Sequence, residues 1–163
     1  LDDEEVPGLG ILQIETRRPG TSTDRLIGDS VLDVPFATHP VAGFENHAGR
    51  TYLDEGVQPF GRVISEAGIG NNEEARPHAD GVIYKNVIGT YLHGPLLSKN
   101  PEVADHLLEK ALERRAKRDG VATQAETQAE VTAQAEAQAE PLPPLDDSEE
   151  LAANQFIVAA QVR

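Results

Sequence analysis

A change of hydrophobic period near residue 100 is the feature that most constrains the fold. Before it, short apolar runs such as "RLIGDSVLDV" (25–34) and "NVIGTYL" (86–92) are separated by turn residues. After it, "NPEVADHLLEKALERRAKR" has apolar residues at helical spacing. Strands followed by an amphipathic helix predict an α/β domain in which the helix packs on a sheet.

The runs that predict strands are rich in β-branched residues and are bounded by Gly, Pro, Asn or Asp. Two stretches are expected to be loops because of their Pro, Gly, Ser and Asn content, namely 18–24 and 68–81. The predicted strands are 9–15, 25–34, 41–45, 60–65, 81–85 and 86–92.

The predicted helix has boundary signals at both ends. Asn100 is expected to be its N-cap and Pro101 its first residue, and bases occupy its last turn. One face is expected to pack on the sheet, and it consists of Ala104, Leu107, Leu108, Ala111 and Leu112.

Composition divides the chain into three parts. Residues 1–120 are globular in character, 121–144 are a low-complexity Gln-Ala-Glu linker, and 145–163 are a terminal amphipathic helix. The helix is expected to dock on the domain or on a partner through Leu151, Phe156, Ile157 and Ala160.

Composition also excludes several classes of site. The chain has no cysteine, which excludes disulfides and thiolate metal ligands within these residues. Its net charge of −14 argues against nucleic-acid binding. Because no run approaches the length of a membrane span and no leader pattern is present, we expect no membrane insertion and a cytoplasmic location.

The segment "GTYLHGPLL" (89–97) places His93 at the end of an apolar run, directly before a Gly-Pro turn. A histidine in this position is suited to general acid/base catalysis, although a buried structural histidine fits the pattern as well. The spacings among His39, His47, His78 and His93 match no metal-ligand motif, so no metal site is expected.

Two further groups could bind a substrate. Arg25 begins a predicted strand, where a guanidinium can hold a carboxylate or make a surface ion pair. The segment "GFENHAGRTYL" (43–53) brings together a carboxylate, an amide, an imidazole and a guanidinium. These side chains could bind a small polar substrate or cap a turn, and they belong to Glu45, Asn46, His47 and Arg50.

Three segments carry a resemblance to a known family: "RLIGD", "VAGFENHAGRTYL" and "GNNEEARPHADGVIYKNVIGTYLHGPLLSKNP". Over residues 7–118, and more weakly over 145–163, the chain resembles the CobB/CobQ-like class I glutamine amidotransferases. Within them it is most similar to the glutaminase subunit of lipid II isoglutaminyl synthase. The resemblance implies a class I amidotransferase-like (flavodoxin-like) sheet with flanking helices, of which only the C-terminal half is present.

The resemblance also implies a chemistry. In that family a cysteine attacks the side-chain amide of L-glutamine, a histidine moves the protons, and a thioester forms as ammonia departs. His93 matches the catalytic histidine, and Arg25 matches the arginine that holds the glutamine. The cysteine segment is expected upstream of Leu1, so this sequence is expected to be truncated and inactive by itself.

One further departure concerns the residue two positions after His93. Many class I amidotransferases have a glutamate there that orients the imidazole, whereas this chain has Pro95. The carboxylate is therefore expected from the family's Mur-ligase-like partner subunit, MurT. ATP and Mg²⁺ are expected on that partner and no cofactor on this chain.

The expected function is to release ammonia for the ATP-dependent amidation of the D-glutamate α-carboxyl of lipid II, giving D-isoglutamine in peptidoglycan. Lipid II would be bound through the partner. Two alternatives remain open at this point. One is a CobB/CobQ-type amidotransferase of cobyrinate amidation, and the other is a non-catalytic scaffold for a Mur-ligase-like partner.

Overall fold

The computed structural model describes residues 5–19, 24–75, 77–121 and 145–162. Short strands followed by helices confirm the predicted α/β architecture. The elements in these residues are β1 (Ile14–Arg17), β2 (Leu26–Asp33), β3 (Val41–His47), β4 (Arg50–Leu53), β5 (Gly61–Val63), β6 (Ala79–Asp80), β7 (Val82–Tyr84), β8 (Val87–Gly89), β9 (Leu92–His93), α1 (Leu96–Lys99), α2 (Pro101–Val121) and α3 (Ser148–Gln161).

The main sheet has five strands in the order β6-β5-β2-β3-β9, and the pairs β1-β4 and β7-β8 form two small ribbons. Every strand pairing in the described residues is antiparallel. The longest runs between β2 and β3, from Leu26↔His47 to Leu32↔Val41. β9 lies at an edge of this sheet and pairs with β3 at two positions only, Phe44↔His93 and Glu45↔Leu92.

Several predicted strand limits are wrong. Only the end of 9–15 joins a strand, and 86–92 is interrupted at Thr90 and Tyr91. The predicted loop 68–81 contains β6, because Ala79 and Asp80 pair with β5. These differences arise from short pairings with distant strands, which local patterns do not encode.

The apolar core lies between the sheet and the elements that cover one of its faces. It consists of Leu32, Val34, Val41, Phe60, Leu92 and Val103. Gly43 allows β9 to approach β3 closely, because a Cβ on this glycine would stand 2.9 Å from the Cβ of Leu92. The position of β9, and of His93 at its end, therefore depends on a glycine in β3.

The predicted packing face of α2 is wrong. Leu107 and Leu108 are 37% and 53% exposed, whereas Val103 in the first turn is buried in the core. The ring of His106 stacks on Phe36 at 3.8 Å. The helix pattern was correct, but the sheet contacts the first turns of α2 rather than its leucine-rich face. Asn100 and Pro101 occupy the N-cap and first positions of α2 as predicted, but the Asn100 side chain bonds to Ala42 and Leu96 and not to the first turn of α2.

The terminal helix α3 packs against β2, β3 and α1. Asn154 is its buried residue among those described, and Phe156, which was expected to dock, is 79% exposed. The Gln-Ala-Glu repeat falls in residues 122–144, outside the described residues, and the three-part division of the chain stays a prediction. No helix in the described ranges combines the length and apolar character that crossing a bilayer requires.

Candidate functional site

Alternate residues of the central strands project to opposite faces of the sheet. Directly paired residues project to the same face, so the register places Asp29, Phe44 and His93 in one row across β2, β3 and β9. Ile27 and Asn46 form the neighbouring row. We call these five residues, together with Arg25 two positions before Ile27, the open face. Ile27 is 59% and Phe44 37% exposed, and the Arg25, Asp29 and His93 side chains are also exposed.

His93 ends β9 on the open face, immediately before Gly94 and Pro95. Its exposure excludes the alternative of a buried structural histidine. Within the described residues its ring has no hydrogen-bond partner. An exposed imidazole at a fixed point of a sheet edge is available to exchange protons with a bound molecule.

Arg25 immediately precedes β2 and is held by Asn46. Its Nε donates to Asn46 Oδ1 at 2.7 Å, and its Nη2 donates to the Asn46 carbonyl oxygen at 2.7 Å. A guanidinium has five N–H donors, and these two bonds use its Nε/Nη2 edge. Among the described residues, no bond uses its Nη1/Nη2 edge. That edge has the geometry for a bidentate carboxylate contact. Asn46 thus links Arg25 to the face that carries His93.

The residues on either side of Asn46 face the other way. Glu45 is 1% exposed, and its two oxygens accept the N–H groups of Ile69 and Gly70 at 2.9 and 2.8 Å. His47 is also buried, with its Nε2 3.8 Å from Glu45 Oε2. Burial raises the pKa of Glu45, but the nearby His47 ring and the two N–H groups outweigh it, so the pKa lies below its ordinary value. Glu45 therefore anchors a loop as a carboxylate.

The buried side of the sheet also fixes residues 90–92, the segment that leads to His93. Asp80 is fully buried, and its carboxylate accepts the Thr90 hydroxyl and, at 3.2 Å, the Tyr91 N–H. The Thr90 oxygen accepts the Leu92 N–H at 3.1 Å. Burial raises the pKa of Asp80 to about 6, against the opposing effect of these bonds. Asp80 was not predicted, because it lies in a stretch whose polar composition indicated a loop.

The Tyr91 side chain is held by groups other than Asp80. Its ring stacks on His47 at 3.6 Å and 7°. Its hydroxyl is 2.7 Å from Thr51 Oγ1, which is 2.8 Å from Thr16 Oγ1. The residues that anchor this segment on the buried side of the sheet are Glu45, His47, Asp80, Thr90 and Tyr91. We call them the inner face.

The sheet thus decides between the two interpretations of segment 43–53, substrate binding and turn capping. Glu45 and His47 are structural, while Asn46 lies on the open face and accepts hydrogen bonds from Arg25. Arg50 is buried and pairs with Glu73, with its Nε donating at 2.7 Å, so it does not join them. In the part of the chain that the structure describes, no three His, Asp or Glu side chains form a group that could hold a metal ion.

Comparison with known sequences identifies the family of the chain. Residues 1–101 match the CobB/CobQ-like glutamine amidotransferase domain. The chain belongs to the CobB/CobQ-like glutamine amidotransferase family. The matched residues include both Arg25 and His93, and they end directly after Asn100.

Relatives of two kinds are found within this amidotransferase family. The chain is 50% identical over 115 residues to the lipid II isoglutaminyl synthase subunit GatD of Staphylococcus aureus N315, covering 70% of this chain and 43% of that protein. It is 39% identical over 116 residues to GatD of Streptococcus pneumoniae R6, covering 71% and 42%. A cobyric acid synthase of Listeria innocua is 38% identical over 92 residues, covering 55% and 16%. The chain thus spans less than half the length of these relatives.

Proposed function

We propose that this chain is the C-terminal part of a glutaminase subunit of lipid II isoglutaminyl synthase. The parent protein releases ammonia from L-glutamine for the amidation of the D-glutamate α-carboxyl of lipid II in the cytoplasm. The observation that carries the proposal is the 50% identity to a GatD subunit over 70% of this chain. The matches to cobyric acid synthases have lower identity, 38% over 92 residues and 34% over 123 residues, which supports the first reading over cobyrinate amidation.

The open face supports specific roles for two residues. The free edge of the Arg25 guanidinium holds the α-carboxylate of glutamine, because Asn46 fixes its orientation. His93 moves the protons. A cysteine thiol, supplied by a part of the parent protein outside these 163 residues, loses its proton to His93 and attacks the amide carbon. His93 then gives the proton to the departing nitrogen, so a thioester and ammonia result, and water releases glutamate and restores the thiol.

The partner in this proposal is a Mur-ligase-like subunit, MurT. It binds lipid II, ATP and Mg²⁺, and receives the ammonia. It also supplies the carboxylate that orients His93, because Pro95 stands where a glutamate would otherwise serve and Pro95 has no side-chain acceptor. Activity should then depend on assembly of the two subunits.

The test is ammonia release by the full-length subunit co-expressed with its partner. We expect His93→Ala to lower release by about 10²- to 10⁴-fold, the usual contribution of a general acid/base, with the complex intact. The control is His39→Ala, an exposed histidine paired with Glu102, which should retain activity. Unchanged release in His93→Ala would refute the catalytic role.

The same preparation separates the alternatives. Amidation of lipid II but not of a cobyrinate substrate supports the proposal, and the reverse result would favour cobyrinate amidation. A wild-type subunit that binds the ligase, in a complex that releases no ammonia from glutamine, would favour a non-catalytic scaffold.

A further inference from the structure

The turn that follows His93 has little packing of its own. It continues into α1, a single helical turn in which no residue is buried. The preceding strand β9 pairs with β3 at only two positions. Leu96 packs partly against the apolar core, and the hydrogen bonds that hold the turn to the sheet come from outside this segment.

The Asn100 side chain provides such contacts. It is 3% exposed, and its Nδ2 donates to the carbonyl oxygens of Leu96 and Ala42 at 2.7 and 2.9 Å. Its Oδ1 accepts the Ala42 N–H at 2.8 Å. One side chain thus fastens α1, three residues after His93, to the β3 strand with which His93 pairs.

The remaining acceptor site of Asn100 is filled from α3. Asn154 Nδ2 donates to Asn100 Oδ1 and to the Pro40 carbonyl oxygen, both at 2.8 Å. With this bond Asn100 uses its two donors and two acceptor positions. Asn154 is 2% exposed, and it lies beyond residues 1–101 that match the family domain.

We infer that Asn154 is a positioning residue for His93, acting from the terminal helix through Asn100. Removing its amide leaves Asn100 Oδ1 with one partner and opens its site to water, which competes for the bonds to Ala42 and Leu96. The turn then loses its fixed distance from β3. The catalytic part of this inference rests on the proposed function, whereas the mechanical part rests on the contacts alone.

The test compares Asn154→Leu with Gln155→Leu in the full-length subunit bound to its partner. Both changes replace an amide by an isobutyl group on α3, but Gln155 is exposed. We expect Asn154→Leu to lower kcat for glutamine hydrolysis at least about tenfold, since small misplacements of a catalytic group have large effects. KM should stay within about twofold, because Arg25 rather than His93 holds the substrate.

The second measurement is hydrogen exchange of the backbone N–H of Asn100, which donates to the Leu97 carbonyl oxygen at 3.2 Å. Exchange should be faster in Asn154→Leu and unchanged in Gln155→Leu. If Asn154→Leu does not fold, Asn154→Ser is used, because it keeps a small polar group while losing both amide donors.

The inference is wrong if a folded Asn154 variant keeps the wild-type kcat and exchange rate. It is also wrong if Gln155→Leu causes an equal loss. If the wild-type complex hydrolyses no glutamine, the proposed function fails, and the exchange rates alone decide whether α3 fixes the turn.

Discussion

The two sides of the central sheet use similar residue types in opposite ways. On the inner face, each oxygen of the Glu45 carboxylate accepts a backbone N–H and the His47 ring is packed against Tyr91. On the open face, His93 is exposed and one edge of Arg25 is left over after its bonds to Asn46. The difference shows that paired and buried charges here serve stability, while exposed groups held by a rigid strand are available for chemistry.

The largest effect that would test this contrast is expected at Glu45. Glu45→Ala removes a buried carboxylate and leaves the Ile69 and Gly70 N–H groups without their acceptor. We expect the free energy of unfolding to fall by about 3–5 kcal/mol. Urea unfolding of the full-length subunit measures it, with the exposed Glu55→Ala as a control that should change stability by at most about 0.5 kcal/mol. Equal losses of unfolding free energy in the two variants would contradict the structural role of the inner face.

A smaller, pH-dependent effect is expected at Asp80. Burial raises its native pKa to about 6 from 3.8, so between these values the native chain takes up a proton that the unfolded chain does not. The stability of the wild type relative to Asp80→Asn should therefore rise as pH falls from 7 to 4, by at most about 3 kcal/mol.

Denaturant unfolding of both proteins at several pH values measures this difference. Glu45 is present in both, so its opposite pH dependence cancels from the comparison. A difference that stays constant with pH, or that falls as pH is lowered, would show that Asp80 is not held in the environment described.

The smallest effect is expected on the open face at Arg25. Arg25→Lys replaces a planar fork by a single point charge and loses the side-on contact with Asn46. We expect KM for glutamine to rise about tenfold, or about 1.4 kcal/mol, with little change in thermal stability. Arg62→Lys is the matched control, because Arg62 is exposed and pairs with Asp33. A loss of stability without a change in KM would assign Arg25 to the scaffold.

Much of the sheet could be predicted because β2 and β3 contain short apolar stretches and are bounded by turn residues. The short strands could not, since β6 and β9 have two residues each and exist only through pairing with distant strands. Periodicity located α2, but it could not show that the sheet would contact Val103 rather than the leucines further along the helix.

The candidate site shows the same limit. The Gly-Pro turn and the family resemblance singled out His93, and the alternation of β3 could have separated Asn46 from Glu45 and His47. No local signal could have found Asp80 or Asn154. Their importance comes from contacts with residues 10 or more positions away, such as Thr90 for Asp80 and Asn100 for Asn154.

The attachment of α3 by a side-chain amide has a consequence for how such chains can vary in length. Asn154 recognises Asn100 and Pro40 directly, so the docking specifies a surface and not the number of residues before the helix. The entropic cost of closing a chain segment rises by only about 0.6 kcal/mol when its length doubles. A different number of residues between α2 and α3 would therefore leave the same helix able to meet the same turn.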